Sequence, residues 1–134
     1  MFDWSMFLRL AGELVECDQA DATSEASWRS GTSRAYYAAY HAVRDYVREC
    51  EPLFASPRGD SHQALIDFVF RLHVYSKEHR QIATNLKRLR DRRNDADYER
   101  TPNCTRPNAR MHVQDANVIT ELIVGLRRKR GISM

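Results

Sequence analysis

A chain of 134 residues can hold one hydrophobic core and is too short for two comfortable domains. Apolar residues at 43% and charged residues at 29% exclude a wholly disordered chain. The net charge of +3 is mild, so any attraction for anions must come from local clusters, of which there are two: "KRLRDRR" at 87–93 and "RRKR" at 127–130.

The first predicted helix spans about Phe2 to Asp18, with Phe7, Leu10, Ala11, Leu14 and Cys17 at 3-4-3 spacing. "DQADATSEAS" then supplies turn residues, and Ser24 reads as the N-cap of a second helix from about Glu25 to Cys50. Its apolar stripe is Trp28, Ala35, Ala39, Ala42, Val43, Tyr46 and Val47. Gly31 costs about 1 kcal/mol against alanine there, which a close approach by a neighbouring helix would explain. "EPLFASPRGD" is a loop, and Ser61 reads as the cap of a third helix with Leu65, Phe68, Val69 and Leu72 on one side. The fourth runs from about Lys77 to Tyr98, with Ile82, Leu86, Leu89, Arg93 and Ala96 in register. "ERTPNCTRPNAR" reads as a second loop, and a fifth helix from Arg110 to Arg128 turns Ala116, Ile119, Ile123 and Leu126 inward. No segment alternates with period two. The expected fold is all-α: a single four- to five-helix up-and-down bundle over 1–134, with a core of about 5–125 and a basic tail from about 127. The second and fourth helices should be the longest.

Cys17, Cys50 and Cys104 are odd in number, far apart and without a C-x-x-C pair, which speaks against a disulfide framework or structural zinc and fits a reducing cytosol. The start "MFDWSMFLRL" has Asp3 and no basic n-region, so it does not read as a signal peptide. No uncharged apolar run nears the ~20 residues of a membrane span. A cytoplasmic location follows as an expectation.

Two features stand out. Arg93 falls on the apolar stripe of its helix, where a guanidinium needs a carboxylate, a protein interface or a ligand phosphate. Asp97, four residues on, is within reach as an internal clamp. In "SRAYYAAYHAVRDYV" (33–47), Tyr36, Tyr37, Tyr40 and His41 occupy more of the helix surface than one stripe requires. Arg34, Tyr37 and His41 share one face at i, i+3 and i+7, and could line a cleft with Arg93 and Arg90; alternatively Tyr37 and His41 hydrogen-bond across a helix–helix or dimer interface. Arg106 to His112 has similar spacing but crosses "RPN" and reads as chance. His73 and His79 flank a turn, His62 reads as a packing or capping residue, and no histidine set fits zinc.

"SRAYYAAYHA", a loop followed by "SH", and a helix ending "LRDRRNDADY" together resemble the HEPN-domain superfamily, in its small stand-alone prokaryotic branch. The resemblance spans about 5–125. It implies a dimerising helical bundle with polar residues of the second and fourth helices around a shared cleft. Many members are metal-independent ribonucleases, often toxins paired with a nucleotidyltransferase antitoxin, using arginine, four to six residues, then histidine. Arg93 matches that arginine and Asn94 the polar residue after it, with Asp97 close by. Tyr98 stands where the histidine is expected. A histidine titrates at about 6.5 and can accept a 2′-hydroxyl proton, whereas a tyrosine at about 10 is a poor base.

Two functions of different class are therefore expected. One is a HEPN-like protein that binds RNA or nucleotide phosphate, as an endoribonuclease or a degenerate relative in a toxin–antitoxin or defence system. The other is a silent homodimeric interaction module partnering a nucleotidyltransferase or another protein. A nucleotide sensor using Arg34 and Arg93 is a third. None requires a metal or cofactor.

Overall fold

The computed structural model describes residues 3–16, 22–50, 61–72, 76–98 and 104–131, with side chains for all of these except 22, 23, 50 and 98. Five helices are present: α1 (Ser5–Val15), α2 (Ala22–Cys50), α3 (Ser61–Arg71), α4 (Lys77–Tyr98) and α5 (Arg106–Lys129). The described residues contain no strand. The chain is an all-α bundle, as its period of 3.6 predicts.

α2 is the axis of that bundle and touches all four other helices. Its stripe Ala35, Ala39, Val43 and Val47 is fully buried, but so are Tyr36 and Ala38, and Tyr40 is nearly so. One core cluster takes Leu8 and Ala11 from α1, Leu65, Ile66 and Val69 from α3, Ile82, Leu86 and Leu89 from α4, and Ala116, Ile119 and Ile123 from α5. Burying each larger aliphatic stabilises by about 1.5–3 kcal/mol. A helix enclosed on several sides buries more than one stripe. Of the tyrosines beyond the needs of a single stripe, Tyr36 and Tyr40 are therefore core residues, because α3 and α4 cover what a two-helix picture leaves open, and Tyr37 packs against that core while partly exposed.

Gly31 lies where α1 crosses α2. A Cβ placed there would stand 2.6 Å from Val15 Cγ2 and 3.0 Å from the Ala11 carbonyl oxygen. The close approach expected of this glycine is real.

Several boundaries differ from the sequence reading. α2 starts at Ala22, so Ser24 is a buried residue of its first turns and not the cap. Ser61 is the first residue of α3. α1 is shorter than expected, ending at Val15. α5 begins at Arg106, because the Thr105 side chain accepts a hydrogen bond from the Asn108 backbone N–H and Pro107 sits in the first turn. Proline lacks only a donor that no first turn uses, so it starts this helix and does not break it. In consequence α5, with 24 residues, exceeds the 22 of α4, and the two longest helices are α2 and α5.

Candidate functional site

Where the middle of α2, the start of α3 and the second half of α4 meet, helical spacing gathers polar and aromatic groups. Ser33, Tyr36, Tyr37 and Tyr40 come from successive turns of α2, and Arg90, Arg93 and Asp97 from successive turns of α4. The Arg93 guanidinium carbon stands 5.3 Å from the centre of the Tyr36 ring and 5.2 Å from that of Tyr37. Such cation–π contacts are worth about 0.5–2 kcal/mol each. Asp97 pairs with Arg93 at 3.7 Å and accepts a hydrogen bond from Ser33 Oγ at 3.3 Å. The Arg93 side chain is only 12% exposed. Its Nε is enclosed without a hydrogen-bond partner.

α3 closes one side of the cluster. The Tyr36 hydroxyl is hydrogen-bonded to His62 Nδ1, and the His62 ring stacks on Tyr40 with centroids 4.1 Å apart. Tyr40 and Ser61 hydroxyls meet at 3.5 Å, and Arg90 donates to Gln63 Oε1 at 2.9 Å. Burial drives the Tyr36 hydroxyl far above the ordinary tyrosine range, although the Arg90 and Arg93 charges oppose the shift. Tyr36 therefore stays protonated and serves as a hydrogen-bond partner, not a base.

From Arg93 a row of rings runs outward towards α1. Tyr37 lies 6.5 Å from His41, His41 stacks on Trp4 at 3.6 Å with an 8° tilt, and Trp4 meets Phe7 edge-on at 5.3 Å. Arg34 closes the row over the Phe7 ring at 6.0 Å. All six of these residues between core and solvent are partly exposed. The arrangement is a shelf of aromatic faces with a guanidinium at each end.

Burial of the imidazole lowers the His41 pKa to about 4, with the charges of Arg44, His62 and Arg48 adding to the effect. The sign for stability follows directly. The unfolded histidine, at 6.5, binds a proton that the folded one refuses, so stability falls as pH drops from about 6.5 towards 4. In His41→Gln, thermal melts should lose less between pH 7 and pH 5 than wild-type melts do. Equal losses would show that His41 titrates as in water.

The structure brings Tyr37 directly against Arg93, and His41 behind it. Arg34 does not reach Arg93, because its place on the helix turns it to Phe7 of α1 instead. Asn94 is partly exposed beside Arg93, and the Tyr98 side chain lies outside the described residues. Arg106 and His112, whose spacing reads as chance across a loop, share α5, where Arg106 leans over the Trp28 ring at 5.6 Å. His62, read as packing or capping, is central to the cluster. Its sequence signal was the "SH" pair that opens α3, which gains meaning only once α3 is laid over Tyr36 and Tyr40. Trp4 and Ser33 were missed for the same reason. His73 lies outside the described residues. Among the described residues no group of three or more histidine, cysteine or acidic side chains could hold a metal, and no helix is long and apolar enough to cross a membrane.

Comparison with protein-family models, curated proteins and solved structures finds no match to this chain.

Proposed function

We propose that this chain is a HEPN-like RNA-binding protein that holds a phosphate at Arg93 and stacks bases along the Tyr37–His41–Trp4–Phe7 shelf. The observation that carries this reading is the state of the Arg93 guanidinium. It is almost enclosed, it lies across two tyrosine faces, and it forms no hydrogen bond with a described residue, its carboxylate partner standing off at 3.7 Å. A guanidinium offers five N–H donors in a planar fork, and phosphate oxygens are acceptors that suit it. Stacking of a base on an aromatic side chain contributes about 1–3 kcal/mol. The shelf therefore suits single-stranded RNA, whose bases are free to splay out.

Anisotropy of a labelled single-stranded oligoribonucleotide tests the reading. Tyr37→Leu keeps the apolar bulk and removes the ring face, and it should weaken binding about tenfold, the equivalent of about 1.4 kcal/mol. Absence of wild-type binding at low salt would remove the proposal and favour a protein-interaction module. In that case the partner, a nucleotidyltransferase in a toxin–antitoxin pair, should be sought by co-purification.

One observation favours cleavage in addition to binding. His62 brings to the cluster the side-chain type that can exchange protons with a 2′-hydroxyl near neutral pH. Cleavage of labelled RNA in the presence of EDTA, lost in His62→Ala but with binding retained, would establish it.

A further inference from the structure

A second cleft, on a different face of α4 from Arg93, lies between the first half of α2, the second half of α4 and the start of α5. Its volume is about 410 Å³, within the range of roughly 300–1,000 Å³ that small-molecule sites occupy. We propose that this cleft binds the phosphate group of a small molecule, held by Arg88, Arg92 and His112. Nothing in this inference depends on the RNA site.

Arg88 and Arg92 stand one turn apart on α4, and Arg29 of α2 lines the same cleft. Arg29 is already committed: it donates to Glu25 and to the backbone carbonyls of Asp95 and Ala96, so it braces the wall. The other two are differently placed. Arg88 donates to Asn85 Oδ1 at 3.0 Å and faces Asp115 at 3.6 Å, and Arg92 faces Asp95 at 3.6 Å with no hydrogen bond to any described residue. Both arginines are about half exposed, and ion pairs of that length in water are weak, so their donors are open to a stronger acceptor. Asp95 also lines the cleft and opposes an anion, leaving three arginines against one carboxylate on the lining.

The α5 wall supplies an independent sign. His112 is only 9% exposed, lines the cleft, and keeps its Nδ1 enclosed with no hydrogen-bond partner. Burial and the charges of Arg92 and Arg88 lower its pKa, and Asp115 opposes them in part. The ring thus sits in a positive field that Asp115 answers only in part. A bound phosphate would favour the imidazolium and gain a donor from it. The first turn of the 24-residue α5, at Asn108, adds its partial positive charge at the same place.

The test follows the His112 ring protons by NMR, identified by their loss in His112→Gln. Wild-type protein is titrated with inorganic phosphate and with AMP at constant ionic strength, using chloride as the balancing anion. The expected result is a saturable shift of the His112 signal and a raised His112 pKa. Arg88→Gln and Arg92→Gln should each weaken it about tenfold. Lys87→Gln, exposed on the same helix and paired with Asp91, should not. Tighter binding of AMP assigns the cleft to a phosphate ester, and equal or tighter binding of inorganic phosphate to the free anion. A His112 signal that moves no more than it does with chloride, or that titrates in both arginine variants as it does in the wild type, would overturn the proposal.

Discussion

Gly31→Val should unfold the N-terminal side of the bundle, and Gly31→Ala should destabilise it in spite of alanine's better helix propensity. Intrinsic preference alone would favour alanine by about 1 kcal/mol. Against that stands the contact with α1, where the new Cβ meets Val15 Cγ2 at 2.6 Å and the Ala11 carbonyl oxygen at 3.0 Å. The valine methyl can rotate aside. The carbonyl belongs to helix backbone and cannot move without α1. Overpacking of this kind costs about 1–3 kcal/mol, so Gly31→Ala is expected to end net destabilised by about 1–2 kcal/mol. Valine adds two further methyl groups in the same space and should force α1 away, uncovering the core that Leu8, Ala11 and Val15 close. That loss is comparable with the whole stability of a small domain, about 5–15 kcal/mol. Thermal melts followed by circular dichroism check both variants. A raised melting temperature for Gly31→Ala would mean that the helices are not in firm contact.

Arg93→Ala should change stability and RNA binding together. Removing the guanidinium deletes two contacts with tyrosine faces and leaves Asp97 with Ser33 as its remaining described partner. A loss of about 1–3 kcal/mol is expected on these grounds. Binding should fall more steeply than for Arg88 or Arg92, because the Arg93 side chain is enclosed and its Nε lacks a hydrogen-bond partner. Arg92→Ala, at a side chain 54% exposed, should leave the melt unchanged and lower RNA affinity only in a salt-sensitive way. Arg93→Lys is informative between the two. It keeps the charge but not the plane that lies over the tyrosines, so it should recover part of the stability and little of the affinity. If Arg93→Ala alters neither the melt nor the binding curve, Arg93 is an ordinary solvated arginine and the site is wrongly placed.

Much of this was legible in the sequence because helix periodicity fixes which side chains share a face. Ile82, Leu86, Leu89 and the intruding Arg93 lie inward as their spacing requires, with Asp97 beside Arg93, and the stripe Ala116, Ile119, Ile123, Leu126 is buried. Periodicity gives faces and not neighbours. Arg34 shares a face with Tyr37 and His41 yet ends over Phe7, because which helix covers which turn depends on crossing angles that one-dimensional spacing does not contain. The importance of His62 was hidden for the same reason, since its hydrogen-bond partner Tyr36 lies 26 residues away on another helix. The α5 boundary differs because "ERTPNCTRPNAR" reads as a loop, whereas the Thr105 cap makes the first turn the one place in the helix where Pro107 fits.

The enclosure of α2 has an evolutionary side. Gly31, Ala35, Ala38 and Ala39 are small because several helices press on them at once, and any enlargement is felt by more than one neighbour. Such positions have almost no neutral drift available to them. A saturation scan of single substitutions should therefore show a long intolerant stretch from Gly31 to Val47, broken only at partly exposed positions such as Arg44 and Asp45. On α5, whose outer face is largely solvated, tolerated and forbidden positions should instead alternate with the helical turn.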